Sequence, residues 1–291
     1  MNKLTSPKVV MEIMKEYGIA PNKGLGQNFL VDGNIVQAIV KGAQIEKGDN
    51  VLEIGPGLGA LTSYMAMVAG KVVAVEIDKG FIRVLQDNLQ DFDNVKIINQ
   101  DIMKMDLKAL APSYFGGQPF KVVGNLPYYL TTPIIMDLLE KGLPVTTMVF
   151  MIQREVGQRI SARPSTREYG ALTLAVGYYA DCEVLLKVPN TVFIPRPKVD
   201  SIVIRLTTKA HKDPVAKDEK LMFRIIRAAF EQRRKTLVNA LANGGILGGD
   251  KERIREVLQG LNISPGVRGE ELTLEQYCKI ADNVYGLQYL P

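Results

Sequence analysis

Four short segments of the chain bring together glycines, carboxylates, an amide and a proline in patterns suited to binding and catalysis. The first is Glu53-Ile-Gly-Pro-Gly-Leu-Gly-Ala60, directly after an apolar run. Glycines at such a place let a backbone approach a ligand with no Cβ in the way. Read loosely, Gly55, Gly57 and Ala60 also satisfy the dinucleotide fingerprint G-x-G-x-x-G/A, and a tight turn with no ligand fits them equally. The second and third segments end in carboxylates, Glu76 after VVAV and Asp101 after IINQ. A carboxylate at the first position can take the two hydroxyls of a ribose. One at the second can accept from an adenine amino group, although either residue alone could simply cap a helix. The fourth segment is Asn125-Leu126-Pro127-Tyr128.

Acidic groups at Glu53, Glu76 and Asp101 would repel a diphosphate but suit a phosphate-free nucleoside that carries a positive charge. S-adenosylmethionine fits that description better than a nicotinamide dinucleotide. Asn125 to Tyr128 suits the acceptor of a methyl group. The exocyclic nitrogen of adenine is a poor nucleophile because its lone pair is conjugated into the ring. The Asn125 side-chain oxygen and the Leu126 carbonyl can accept its two N–H bonds and favour a pyramidal nitrogen. Pro127 removes a donor and stiffens the turn, and Tyr128 offers a face for stacking. Alignment and preorganised dipoles would then supply most of the rate. A plain β-turn after a strand is the other reading of these four residues.

Composition removes several alternatives. The only histidine among 291 residues is His211, in the polar stretch KAHKDP, a poor setting for a Ser-His-Asp triad and too few for an H-E-x-x-H helix or a multi-histidine metal site, so no metal is expected. Cys182 and Cys278 lie far apart with no C-x-x-C spacing, which points to a reducing compartment. No apolar run reaches the ~18 residues of a membrane span. The first residues, MNKLTSPKVV, lack the apolar core of a signal peptide, and a cytoplasmic protein is expected. Charge is uneven: residues 1–150 carry a net −1, residues 151–240 a net +8 and residues 241–291 a net −2. A concentrated basic excess is the footprint of a phosphate-backbone partner, or else an ordinary solvated surface.

The elements that must position these residues follow from periodicity. Ser6 and Pro7 start a helix with Val9, Val10, Ile13 and Met14 at helical spacing, and Gly18 closes it. Residues 21–30 read as loop, and a second helix follows through Ile35, Ile39 and Val40. Short apolar runs at 51–54, 72–75, 95–98, 121–124 and 147–150 alternate with helix-length intervals. They read as parallel strands buried on both faces of a doubly wound α/β sheet. Helices are expected at 154–160 and 168–180, and strands at 184–188 and 201–206, joined by the proline turn at 193–198. A linker is expected from Thr207 to Asp218. Beyond it, Leu221, Ile225, Ile226, Ala229 and Phe230 recur at helical spacing, and further helices at 236–243, 251–260 and 273–284 complete a small all-α domain. The expected division is 1–208 and 209–291.

Taken together, these segments resemble the ribosomal RNA adenine N6-dimethyltransferase family, most closely its bacterial small-subunit branch. The matching stretches are GQNFL at 26–30, EIGPGLGALT at 53–62, Glu76, QD at 100–101 and NLPYY at 125–129. They continue with QREVGQRI at 153–160, YGALT at 169–173, FIPRPKVDS at 193–201 and FEQRRKTL at 230–237. The resemblance implies a Rossmann-like class I methyltransferase domain with a small helical domain that contacts RNA or ribosome. It implies transfer of methyl groups from S-adenosylmethionine to N6 of two adjacent adenosines in a hairpin loop near the 3′ end of 16S rRNA. The partner would be that RNA or the immature small subunit, with the protein acting as a monomer.

By the same resemblance, Asn28, Leu30, Gly55, Glu76, Asp101 and Asn125 contact the cofactor, and the target base is held at the turn Asn125 to Tyr128. Phe193 would stack on the other face of that base. The basic residues then acquire a role against phosphates, which gives affinity and orientation but little sequence choice. They are Arg154, Arg159, Arg163 and Arg167, then Arg196 and Lys198 around the proline turn, and Arg233, Arg234 and Lys235 closing the first helix of the small domain. Capping of that helix is the alternative for the last three. The rival readings are a large-subunit rRNA adenine methylase, a non-catalytic RNA-binding factor on the same fold, and an NAD oxidoreductase.

Overall fold

A computed structural model of the chain describes residues 3–289. In chain order the elements are α1 (Pro7–Glu16), β1 (Phe29–Leu30), α2 (Gly33–Gly42), β2 (Asn50–Ile54), α3 (Ala60–Ala66), β3 (Lys71–Glu76) and α4 (Gly80–Asn88). Next come β4 (Val95–Asn99), α5 (Leu107–Phe115), β5 (Phe120–Asn125), α6 (Thr131–Glu140), β6 (Val145–Gln153) and α7 (Arg154–Ile160). They are followed by α8 (Ala171–Tyr179), β7 (Ala180–Val188), β8 (Phe193–Ile194) and β9 (Ser201–Thr208). The last helices are α9 (Glu219–Glu231), α10 (Leu237–Asn243), α11 (Lys251–Gly260) and α12 (Leu274–Tyr289). The chain divides into two compact units. One holds residues 1–157 and 181–208, and the other holds 158–180 and 209–291. This partition and the expected one differ in residues 158–180, which pack with the C-terminal helices because Tyr169, Leu174 and Tyr178 belong to their core.

In the first unit seven strands form one sheet in the order β4-β3-β2-β5-β6-β9-β7. The pairs β4–β3, β3–β2, β2–β5 and β5–β6 are parallel, while β9 runs antiparallel to β6. Burial follows position in the sheet: β2, β3 and β6 are buried along nearly their whole length, whereas β4 and β7 at the edges are partly exposed. That explains the continuous apolar runs of the inner strands. Val51 and Val123 join a core with Val36 and Ile39 of α2 and Leu61 and Met65 of α3. Val10 of α1 packs with Phe81, Val84 and Leu85 of α4 in another cluster. Pro7 opens α1 as expected, but the Ser6 side chain makes no cap hydrogen bond.

The strand order reverses at β2, which pairs with β3 on one side and β5 on the other. At such a switch point the loops leaving the two strands diverge and open a crevice beyond their carboxyl ends. Gly124 brings β5 close to β2 there: a Cβ on it would stand 2.8 Å from the Ile54 carbonyl oxygen. The stretch 21–30, expected as loop, ends in the short strand β1. It pairs antiparallel with β8 through Phe29↔Ile194 and Leu30↔Phe193, which joins the N-terminal segment to the proline turn.

The second unit is helical. Along α9, Leu221, Met222, Ile225, Ile226, Ala228 and Ala229 are buried at the spacing of one helix face. They share a core with Leu237 and Leu241 of α10, Leu258 of α11 and Ile280 and Val284 of α12. Two buried tyrosines tie this core to backbone, Tyr169 Oη donating to the Leu272 carbonyl and Tyr277 Oη to the Gly269 carbonyl, both at 2.8 Å. The expected linker is shorter than the reading from 207 to 218, since β9 runs to Thr208 and Asp218 caps α9 through the Leu221 amide.

Candidate active site

The crevice at the switch point is a cavity at the carboxyl ends of β2 to β5. Asn28, Leu30, Gly55, Glu76, Asp101, Asn125 and Pro127 all line it. Its floor is the loop Gly55–Gly59, in which Gly55, Gly57 and Gly59 have φ of 71°, 58° and 89°. Gly57 is constrained by space as well, because an added Cβ would press on the Phe29 ring at 3.2 Å.

Glu76 is buried and organises this loop. Its Oε2 accepts from the Gly57 amide at 3.2 Å and its Oε1 from the Asp78 amide at 2.9 Å. Burial raises the pKa of Glu76 above the usual carboxylate range, and those backbone donors offset part of the rise. Asp101 caps the helical turn Ile102–Lys104, its Oδ1 accepting from the Met103 amide at 3.0 Å, and it also lines the cavity. Among the described side chains lining the cavity there are two carboxylates and no Lys, Arg or His. Such a lining disfavours a diphosphate and fits a nucleoside with a cationic group.

Glu53 is not part of that lining. It is 1% exposed, beside Thr62 of α3, and neither its carboxyl oxygens nor Thr62 Oγ1 makes a well-formed hydrogen bond. Burial pushes its pKa up to about 8; the Thr62 hydroxyl counters this in part and the Glu76 charge adds to it. The expected repulsion of a diphosphate therefore falls to Glu76 and Asp101. Glu53 is held largely neutral below pH 8 because a bare carboxylate there would lack a partner.

Asn125, the last residue of β5, has its side chain fixed. Its Nδ2 donates to the Asn28 backbone carbonyl at 2.9 Å. Asn28 is itself held, its own Nδ2 donating to the Gly26 carbonyl at 2.9 Å. A carbonyl can only accept, so the Asn125 amide must present its NH2 to Asn28 and keep Oδ1 free to accept elsewhere. After the strand, the Leu126 amide bonds to the Met151 carbonyl at 3.1 Å, which anchors the turn to β6. The Pro127 carbonyl accepts from Leu130 and Thr131 as α6 begins, while the Leu126 carbonyl receives no hydrogen bond from the described residues. Two acceptors, Asn125 Oδ1 and Leu126 O, are thus left at one turn.

Other expected site residues lie apart from the cavity. Leu126 has its side chain in the core. Tyr128 is half-buried, its hydroxyl 2.9 Å from Ser201 Oγ on β9. Phe193 is 3% exposed and packs with Leu30, Val36, Val188 and Val203, so stacking on a base is not its arrangement here. Arg196 and Lys198 are exposed between β8 and β9, with Arg196 Nε bonded to Asn190 Oδ1 at 2.8 Å. In the helical unit α9 stops at Glu231, so Arg233, Arg234 and Lys235 follow the helix rather than close it. Arg233 is committed to structure, with Nε and Nη2 on Glu270 Oε2 at 3.1 and 2.7 Å and Nη1 on the Arg167 carbonyl. Arg234 and Lys235 are exposed, as are Arg159, Arg163 and Arg167.

Among the polar side chains that line the cavity, Gln27, Gln100 and Tyr129 are not singled out by residue type or spacing. Gln27 Nε2 donates to Asp78 Oδ2 at 3.0 Å across 51 residues of sequence, tying the N-terminal loop to the end of β3. Only their place inside the stretches GQNFL, QD and NLPYY could have flagged them, because periodicity does not report contacts between distant segments.

The chain is similar to known proteins along nearly its whole length. The family profile described as ribosomal RNA adenine dimethylase matches residues 18–284. A ribosomal RNA small subunit methyltransferase A from Alkaliphilus metalliredigens is 49% identical over 99% of this chain and 100% of its own length. The protein of the same name from Clostridioides difficile is 45% identical over 97% of each chain. Among solved structures, a dimethyladenosine transferase from Plasmodium falciparum superposes with a TM-score of 0.74 over 86% of this chain and 95% of its own, at 24% identity. The 23S rRNA methyltransferase ErmE gives 0.68 over 88% and 98%, also at 24% identity. These two share the fold.

Proposed function

Because the chain belongs to the family of ribosomal RNA adenine dimethylases, we propose that it dimethylates N6 of two adjacent adenosines in the 3′-terminal hairpin loop of 16S rRNA, within the immature small subunit. It is a methyltransferase that uses S-adenosylmethionine. In this reading it works as a monomer in the cytoplasm. Among the described residues no helix is long and apolar enough to cross a membrane.

The observation that carries the reading is the Asn125–Asn28 hydrogen bond. When bound, S-adenosylmethionine supplies a methyl carbon made electrophilic by its sulfonium. Glu76 would hold the ribose hydroxyls of that cofactor and Asp101 would accept from its adenine amino group. Asn125 Oδ1 and Leu126 O accept the two N6 hydrogens of the target base and draw its nitrogen out of conjugation. Pro127 keeps the two acceptors at fixed separation, so little reorganisation remains at the moment of transfer. The proton of the methylated amine passes to solvent, which is why the chain manages without a histidine at the site. A singly methylated adenine keeps one N–H, enough for one acceptor to hold it for the second transfer. Arginines and lysines on the surface supply affinity for phosphates, and an unpaired base is extruded into the site.

Incubation with labelled S-adenosylmethionine and immature small subunits from a strain lacking this activity tests the proposal. Mass spectrometry should find dimethyladenosine at two neighbouring positions of 16S rRNA. Label appearing instead in 23S rRNA of large-subunit precursors would overturn it in favour of the large-subunit reading.

A further inference from the structure

The turn after β5 carries two tyrosines, and the structure treats them differently. Tyr128 is half-buried, bonds to Ser201 Oγ and does not line the cavity. Tyr129 lines the cavity and is 56% exposed. A Cβ added to Gly26 would lie 3.8 Å from Cδ1 and Cε1 of Tyr129 and 3.7 Å from Pro127 Cβ. Gly26 has φ +64°, so the loop reaches the ring with bare backbone. The ring therefore lies beside the loop that also positions Asn28, with room for a methyl group between them, and over half of the residue faces outward.

A target adenine held by Asn125 and Leu126 has a neighbouring nucleotide on the same strand. Extruding the target strips that neighbour of one stacking partner, and an aromatic ring at the mouth of the cavity can replace it. Unstacked bases bind aromatic rings because each offers a π-face. The exposed ring nearest in sequence to the two acceptors is Tyr129, which lines the same cavity beside Gly26.

We propose that Tyr129 is the stacking platform for the nucleobase flanking the target adenosine. It acts as a positioning residue for the RNA, with no part in holding the methyl donor. The proposal rests on the adenine dimethylase reading above. It goes beyond that reading by giving the second of two adjacent adenosines its own contact.

The test compares wild type, Tyr129→Ala and Tyr129→Phe on the precursor subunit. It measures KM for the subunit, kcat, the dissociation constant of S-adenosylmethionine by equilibrium dialysis, and the ratio of dimethylation at the two adenosines. Tyr129→Ala should raise KM about tenfold or more and skew the two-site ratio, with donor affinity unchanged. Tyr129→Phe should stay within about twofold of wild type, since it keeps the ring. An unchanged KM in Tyr129→Ala would overturn the proposal. So would loss of donor affinity in proportion, which would assign the ring to the Gly26 loop, or a Phe variant as poor as the Ala variant, which would assign the effect to the hydroxyl. Wild type serves as the control for the wider reading: if it methylates no adenosine of the subunit, that reading fails regardless of the variants.

Discussion

The cavity at the strand ends and the basic stretch after α9 hold polar groups under opposite conditions. In the cavity the key polar side chains are committed before any ligand arrives: Glu76 to two amides, Asn28 to Gly26, Asn125 to Asn28. What remains free is a small number of acceptors at set positions. After α9 only Arg233 is committed, and Arg234 and Lys235 project into solvent. Fixed acceptors can select one orientation of one base. Mobile cations attract any phosphate backbone, with strength set by their number and by salt. Chemistry and affinity are therefore separable in this chain, and substitutions should separate them.

The sharpest separation is expected from Asn125→Ala. It removes one of two acceptors and should lower kcat by about 100-fold to 1000-fold, the cost of removing one preorganised group. RNA affinity, measured by filter binding, should stay near wild type. Equal losses in both would break the contrast.

Glu53 gives the next effect. Its pKa is raised by burial to about 8, so the folded protein holds a proton that the unfolded chain has released. The stability contributed by this neutral carboxyl is complete below the ordinary carboxyl range and is lost as pH climbs toward 8. The expected slope is roughly 1.4 kcal/mol per pH unit. Glu53→Gln should flatten that part of the pH–stability curve measured by denaturant unfolding. A variant that keeps the wild-type slope would show that Glu53 is ionised at neutral pH.

The smallest effect belongs to the basic stretch. Arg234→Ala with Lys235→Ala should weaken RNA binding and reduce the slope of log affinity against log salt by about 1.5. Methyl transfer at saturating RNA should be unaltered. Arg233→Ala should instead lower the melting temperature, because it strands Glu270 and the Arg167 carbonyl. If Arg233→Ala alone reproduces the salt effect, its guanidinium serves RNA and the division drawn here is wrong.

Much of the cavity could be read from the sequence because its residues sit at the ends of apolar runs. Glu76 and Asn125 end β3 and β5, and Asp101 follows β4 closely. Chain order alone brings strand ends together once the runs are known to form a parallel sheet. Glu53 was misplaced because period two puts alternate residues on opposite faces, and the run VLEI does not say which face meets the cavity. The strands β1 and β8 went unread for another reason. Two residues carry no periodicity, and their pairing joins positions 29–30 to 193–194. Phe193 is buried by that pairing, which an aromatic in a proline-rich turn does not announce.

The amino-acid sequence by itself determined the alternating strands and helices, the absence of histidine chemistry and the motifs that mark an adenine methylase. Those are properties of residue type and local spacing. Tertiary structure alone decided which end of the Asn125 amide is spent on Asn28, which of two adjacent tyrosines faces outward and which of three cations is already paired. Each of those outcomes depends on a partner far along the chain, and a hydrogen bond or a buried face exists only once that partner has arrived.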